Sequence, residues 1–320
     1  HKEDAVKIQC SDCHAKKAHQ KSLITRTDQE TQLIAWLRNY TTEGEQVVLT
    51  QKADRPLVNT RVEEDGNVLK LIKKSGAGKV VMKPPATVCS EGKVHMRLSC
   101  EACHTGWAPQ CIGCHNAYEP ETMGFDMLTR KPRKGTWVEF SAEGIAGLPV
   151  LGVNENDNTV AGGKITTFVP GMIMTIDKQS FNHADAQSFH RLYAPVSAHT
   201  TQKAGRSCVS CHNNPQALGF GRGSLTLSKS GKWFFDAEYA NSAFDGLPED
   251  AWTGFMKERA GQAATRLNMR PFNVEEQKRI LLAGACLTCH LPESNVMRES
   301  LIHFDVVQSR MSSKCIKPVW

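Results

Sequence analysis

Aromatic residues make up only 7% of this 320-residue chain, and apolar residues 40%. The length allows one large domain or two to three small ones. For that length the supply of core material is lean, so something other than side chains is expected to fill part of the interior. No apolar run is long. Ile280 to Leu287 is among the longest and falls far short of the roughly 20 residues that cross a bilayer, so no transmembrane helix is expected. The opening HKEDAVKIQC lacks the charged-then-apolar layout of a signal peptide, so the chain reads as mature or trimmed. Blocks of one charge are missing too. The formal charge is +6, yet no Lys/Arg run exceeds two residues, which leaves nucleic-acid binding without an electrostatic footprint. No low-complexity tract or linker marks a domain boundary.

Cysteine, by contrast, is abundant. Twelve are too many for a reduced cytosolic enzyme without metal or cofactor chemistry. Ten of them fall in five copies of one pattern: Cys10-Ser-Asp-Cys13-His14, Cys100-Glu-Ala-Cys103-His104, Cys111-Ile-Gly-Cys114-His115, Cys208-Val-Ser-Cys211-His212 and Cys286-Leu-Thr-Cys289-His290. Cys-x-x-Cys-His is the attachment signature of c-type haem. Two thiols add across the two vinyl groups of one porphyrin, and the next residue is carried under the ring to ligate the iron. A thioredoxin-like pair would use Cys-x-x-Cys once, in a βαβ context. Zinc would take tetrahedral sets of four ligands. Neither accounts for a His directly after every second Cys. The reading is therefore five covalently bound c-type haems.

At these motifs the chain resembles the multihaem c-type cytochromes. The resemblance rests on the five motifs and their flanking histidines. It implies haem attachment outside the cytoplasm, in the periplasm, at the cell surface or extracellularly, and electron transfer with other redox proteins or electron acceptors. Pentahaem nitrite reductases are similar in haem count but carry a lysine-ligated catalytic haem, and no Cys-x-x-Cys-Lys occurs here.

Each iron has a second axial position. Twelve histidines less the five in motifs leave His1, His19, His95, His183, His190, His199 and His303 as distal candidates, of which about five are needed. His1 and His199 each lie before a motif in the pattern His-x8-Cys-x-x-Cys-His, and His95 sits just ahead of Cys100. In this type of protein an upstream histidine reaches a neighbouring haem. Enough histidines to close every iron favour a carrier over an enzyme, because a six-coordinate iron has no open position for substrate. The alternative is a multihaem reductase or oxidase of a small nitrogen or sulfur compound with one five-coordinate haem. His190, Arg191 and Tyr193 are its candidate pocket cluster, or else contacts for propionates. Surplus histidines also allow a homopolymer or larger cytochrome assembly, including an extracellular filament in which His1 or His19 ligates a haem of the next subunit.

Cys89 and Cys315 lie outside the motifs. In an oxidising compartment they most simply form one disulfide, with an intermolecular bridge or two free thiols as alternatives. The fold expected is a multihaem cytochrome: mostly irregular loop, with short α-helices and small β-hairpin insertions around a haem core. It is read as one unit over 1–320, with haem 1 in 1–40, a β-hairpin insertion in 41–86, haems 2 and 3 in 87–130, a β-rich insertion in 131–180, and haems 4 and 5 in 181–320. NVEEQKRILLAGACLTCH reads as the clearest helix, running into the fifth motif. Only the six residues TGWAPQ separate motifs 2 and 3, so their haems are expected to be near neighbours. Two propionates and about one positive ring charge per ferric haem would bring the net charge to about +1 oxidised and about −4 reduced.

Overall fold

The computed structural model describes residues 8–14, 23–24, 28–40, 46–62, 69–75, 78–90, 93–111, 114–141, 144–157, 159–178, 181, 187–196, 200–258 and 263–320. The chain divides into two compact units, 1–92 and 93–320.

Among the described residues of unit 1 the first element is a single helical turn, α1 (Cys10–Cys13), followed by β1 (Leu23–Ile24) and α2 (Gln29–Leu37). Asp28 caps α2, its side chain accepting from Thr31 N at 2.7 Å, and so satisfies one of the amides a helix start leaves bare. Five more short strands complete two antiparallel three-stranded sheets: β2 (Val47–Leu49), β3 (Pro56–Leu57), β4 (Thr60–Val62), β5 (Leu69–Ile72) and β6 (Lys79–Met82). A last turn, α3 (Thr87–Ser90), holds Cys89.

Unit 2 opens with a 3-10 turn (Lys93–His95), then α4 (Cys100–His104) and β7 (Ala108–Cys111). The long strands follow: β8 (Cys114–Asp126), β9 (Lys131–Ser141), β10 (Gly144–Gly147), β11 (Val150–Asn154), β12 (Lys164–Asp177) and β13 (Gln187–Pro195). Beyond them come α5 (Val209–His212), the hairpin β14 (Gly223–Leu227) and β15 (Trp233–Ala237), the short strands β16 (Ala263–Ala264) and β17 (Met269–Arg270), and two longer helices, α6 (Val274–Leu287) and α7 (Asn295–Ser309).

The centre of unit 2 is β12. Along one edge it pairs antiparallel with β13. Its other edge is shared: the first half takes β11 antiparallel, from Val150 opposite Phe168 to Asn154 opposite Lys164. The second half takes β8 in parallel, from Met174 opposite Cys114 to Asp177 opposite Ala117. With β9, β16 and β17 this makes a seven-stranded mixed sheet.

The expectation of a mostly irregular chain with small hairpin insertions is therefore wrong. Strand occupies 34% of the structure and helix 22%. Gly and Pro ordinarily punctuate loops, but the sheet absorbs several of them at register shifts. Pro120 lies in the irregularity between Glu119 and Met123 of β8, and Pro170-Gly171 in that between Val169 and Met172 of β12. A bulge is where a strand tolerates a residue that cannot donate to the ladder.

One face of this scaffold positions the motifs. Leu151 and Val153 of β11 pack with Leu218, Phe220, Phe272 and Leu281 in a single buried cluster. Ala102, between the cysteines of motif 2, and Ala285, just before motif 5, belong to it, and Cys211 of motif 4 packs against it. Burial of that apolar set stabilises unit 2 and at the same time draws three motifs together.

Candidate metal centres

Four of the five motifs are built as one helical turn. The amide of His14 donates to Cys10 O at 2.7 Å, that of His212 to Cys208 O at 2.8 Å, and that of His290 to Cys286 O at 2.9 Å. Motif 2 is α4 itself, whose start is capped by Ser99 Oγ, 3.1 Å from Ala102 N. Residues three and four apart on a helical turn lie on one face, so the second thiol and the His both project near the first thiol. Motif 1 is pinned from inside by Asp12. That buried carboxylate accepts from Gln9 N at 2.8 Å and Gln51 N at 3.0 Å.

The third motif differs. Cys111 ends β7, while Cys114 and His115 open β8, opposite Ser141 and Phe140 on β9. Neighbouring strand residues point to opposite faces, so Cys114 and His115 do not share one there. Residues 112–113 lie outside the described residues.

Three of the motif histidines are oriented by backbone. His14 Nδ1 lies 2.8 Å from Lys83 O, His104 Nδ1 2.9 Å from Gln202 O, and His212 Nδ1 2.8 Å from Ile280 O. A carbonyl can only accept, so each Nδ1 carries the proton and each Nε2 is left with its lone pair. This is the tautomer a metal-ligating imidazole needs, with the ring's rotation fixed by its outer hydrogen bond. Among the described residues, no group of three or more His, Cys, Asp or Glu converges to hold a metal ion. An iron already held by a porphyrin asks the protein for only one ligand on each face.

Of the distal candidates, His95 stands opposite a motif histidine. Its ring centroid is 6.2 Å from that of His212, with the planes tilted by 41°. Burial, reinforced by the neighbouring His212, pushes His95 down to about 4. Burial also lowers His212, against the raising effect of its bond to Ile280. Both imidazoles are thus neutral at pH 7. His190 is exposed on β13, and His303 is exposed at a kink in α7, where its φ is −134° and ψ 58°. His1, His19, His183 and His199 lie outside the described residues.

The polar cluster read around His190 does not form a pocket. Arg191 and Tyr193 are fully buried on one face of β13, and His190, the residue before Arg191, is exposed. All the Arg191 donors are used. Nε and Nη2 grip Asp245 at 2.6 and 2.9 Å, and the remaining bonds run to the carbonyls of Leu247, Glu249 and Ala251. Tyr193 donates its hydroxyl to Ala251 O. This arginine braces the 245–251 loop against the sheet.

Sequence reading passed over Arg206. Its amide donates to Cys103 O at 2.8 Å and its Nη2 to Pro149 O at 2.7 Å, while the buried Nε and Nη1 have no nitrogen or oxygen partner among the described residues and face the Cys211 thiol. Burial lowers its pKa, and the nearby thiols of Cys211 and Cys103 act in the opposite direction. Nothing in GRSCVSCH separates this arginine from a surface one, since its burial comes from motif 2, a hundred residues away. Cys89 is exposed and Cys315 half-buried, each a free thiol, and they belong to different units. Cys315 lies near motif 5: burial raises the Cys286 thiol, and Cys315 and Cys289 add to the effect.

No family model, curated protein or solved structure matches the chain.

Proposed function

We propose that this protein is a multihaem c-type cytochrome that carries electrons through five covalently bound haems outside the cytoplasm. The observation that carries the reading is the set of three motif histidines whose Nδ1 is held by a backbone carbonyl while two thiols sit on the same turn. Disulfide chemistry would need the thiols but not the oriented imidazole.

Two further features fit a porphyrin at these motifs. Large apolar side chains are bared beside them: Ile8 before Cys10, Val94 and Met96 around His95, Trp107 after motif 2, Val209 inside motif 4 and Leu291 after His290. Apolar surface exposed in such patches is ordinarily covered by something. Arg206 offers buried N–H donors that no oxygen among the described residues accepts, beside the thiols of Cys103 and Cys211, and they suit a carboxylate such as a propionate.

In this reading the haem iron supplies the one-electron chemistry. The chain's part is to fix each ring through two thioethers, to present an imidazole of set tautomer, and to keep the attachments of motifs 2, 4 and 5 close together. His14, His104, His115, His212 and His290 are the proximal ligands. With the Arg191–Tyr193 cluster fully engaged in packing, nothing recommends it as a substrate pocket, and the carrier reading is preferred to the reductase or oxidase. A subunit of a larger cytochrome assembly is one form of the same function.

The test is to produce the chain in a host that attaches haem in its periplasm. Intact mass should show five haems, and changing both cysteines of one motif to Ser should remove one. The ferric spectrum should be wholly low-spin. Fewer than five attached haems would overturn the five-haem reading, and a high-spin haem that binds carbon monoxide in the unmodified protein would overturn the pure carrier.

A further inference from the structure

Motifs 2 and 3 are neighbours in sequence, but the chain contacts of motif 2 run elsewhere. Residues 200–206 lie along residues 103–107. Gly106 N donates to Thr200 O at 2.9 Å, Gln202 N to His104 O at 2.8 Å, and Arg206 N to Cys103 O at 2.8 Å. This strip leads directly into motif 4. Motif 4 in turn meets α6, the helix of motif 5, through the bond from His212 Nδ1 to Ile280 O. The approach is close enough that a Cβ on Gly284 would fall on Asn213 Oδ1 and lie 2.9 Å from His212 O.

The segment before motif 2 closes the same site. His95 O accepts from Leu98 N at 2.9 Å. Arg97 and Ser99 then dock on β12, with Ile165 N donating to Arg97 O at 2.6 Å and Ser99 N to Ile165 O at 2.8 Å. Arg97 Nη2 also pairs with Glu276 of α6 at 2.9 Å. His95 is therefore held by anchors on both the sheet and the motif-5 helix, and it is turned toward His212.

The spacing of those two rings is informative. A metal–imidazole bond is about 2 Å long and the ring half-width about 1.1 Å, so an iron ligated on both faces holds the two centroids roughly 6 Å apart. The observed separation is 6.2 Å. Among the described residues neither ring hydrogen-bonds the other, and the one nitrogen His212 has left is Nε2.

Resting on the proposed haem-binding function, we propose that His95 is the distal ligand of the motif-4 haem, opposite His212, and that this haem is the junction joining the haems of motifs 2 and 5. Its attachment touches both of theirs, and its distal ligand comes from the turn that leads into motif 2. Electrons passing between the second and fifth haems would go through the fourth.

The experiment uses the full haem-loaded protein. His95→Ala should retain five haems by mass, convert one of the five to high-spin, and bind one carbon monoxide per chain. Added imidazole should restore the low-spin spectrum, which separates a lost ligand from a misfolded chain. His95→Met should keep that haem low-spin and raise the potential of one of the five. In the variant lacking the motif-4 haem (Cys208→Ser with Cys211→Ser), adding His95→Ala should produce no high-spin signal. The same variant should slow electron equilibration among the remaining haems at least tenfold after flash reduction.

Five low-spin haems in His95→Ala, or a high-spin signal that survives removal of the motif-4 haem, would overturn the ligand assignment. An unchanged equilibration rate would overturn the junction. Absence of attached haem in the unmodified protein would instead overturn the proposed function on which both rest.

Discussion

Motifs 3 and 4 have the same five-residue pattern and different structures. Motif 4 is a helical turn. Its His is held at Nδ1 by α6, and a second His stands across from it. Motif 3 runs into a strand, and Cys114 to Ala117 are paired on both sides, by β9 and by β12. The comparison shows that Cys-x-x-Cys-His does not impose a conformation. The backbone groups of each copy must be satisfied by whatever lies beside it. For motif 4 that is a helix and a loop, and for motif 3 two strands.

The largest effect should come from Glu276, which ties the motif-2 segment and β17 to the motif-5 helix. It is nearly buried and accepts from Arg97 at 2.9 Å and Arg270 at 2.7 Å. Glu276→Gln should destabilise unit 2 by about 3 kcal/mol in denaturant unfolding, since it strands two arginines on a buried amide. The region around motif 4 should loosen while the β8–β9 hairpin stays intact. The carboxyl also sets an acid limit. Burial raises its pKa, but hydrogen bonds from Arg270 and Arg97 and the charge of Arg270 outweigh this and hold it below the ordinary 4.5. The unfolded chain therefore takes up the proton first. The stability this group contributes is complete above about pH 4.5 and is lost as the pH falls through the lower folded value. Glu276→Gln should flatten that part of the pH–stability curve.

Gly284→Val is expected to be next in size. A side chain at Gly284 meets His212 O and Asn213 Oδ1. The overpacking should cost about 2 kcal/mol in unfolding experiments and disturb the motif-4 spectrum more than any other. Asn273→Ala removes the cap that accepts from Glu276 N at 2.9 Å and should cost about 1 kcal/mol, read as a lower unfolding midpoint. On the motif-3 side, the Lys134–Glu121 pair of the β8–β9 hairpin is 68% and 82% exposed. Lys134→Ala should therefore change stability by under about 0.5 kcal/mol. A large loss there would mean the hairpin is held by its surface charges rather than by its ladder.

Some of this architecture was legible in the chain. The helix read in NVEEQKRILLAGACLTCH is present as α6, and the structure adds the reciprocal cap of Asn273 and Glu276 at its start. SLTLSKSGKWFFD, two strand-like runs around a Ser-Gly turn, forms the β14–β15 hairpin, with Gly231 at φ 84° in its turn. The sheet was not legible. Strand β8 begins inside a cysteine motif and contains Pro120 and Gly124, so its local composition argues against a strand. It forms because β9 and β12 supply partners for its backbone, and β12 comes from far along the chain. The polar cluster at His190 misled for a related reason. Side chains on a strand alternate between faces, so Arg191 and Tyr193 turned inward together to brace a loop while His190 stayed outside.

What depends on adjacent residues could be read directly: five pairs of thiols with a histidine behind each, and the covalent chemistry that spacing suits. Those features are set within five consecutive residues and need no partner. Which motif neighbours which could not be read in that way. TGWAPQ keeps motifs 2 and 3 close along the backbone, but the packing of β11, β12 and α6 around one apolar cluster draws motif 2 toward motifs 4 and 5. It also turns His95 toward His212, because burial of a shared core acts between surfaces and is indifferent to how far apart the residues lie in the chain.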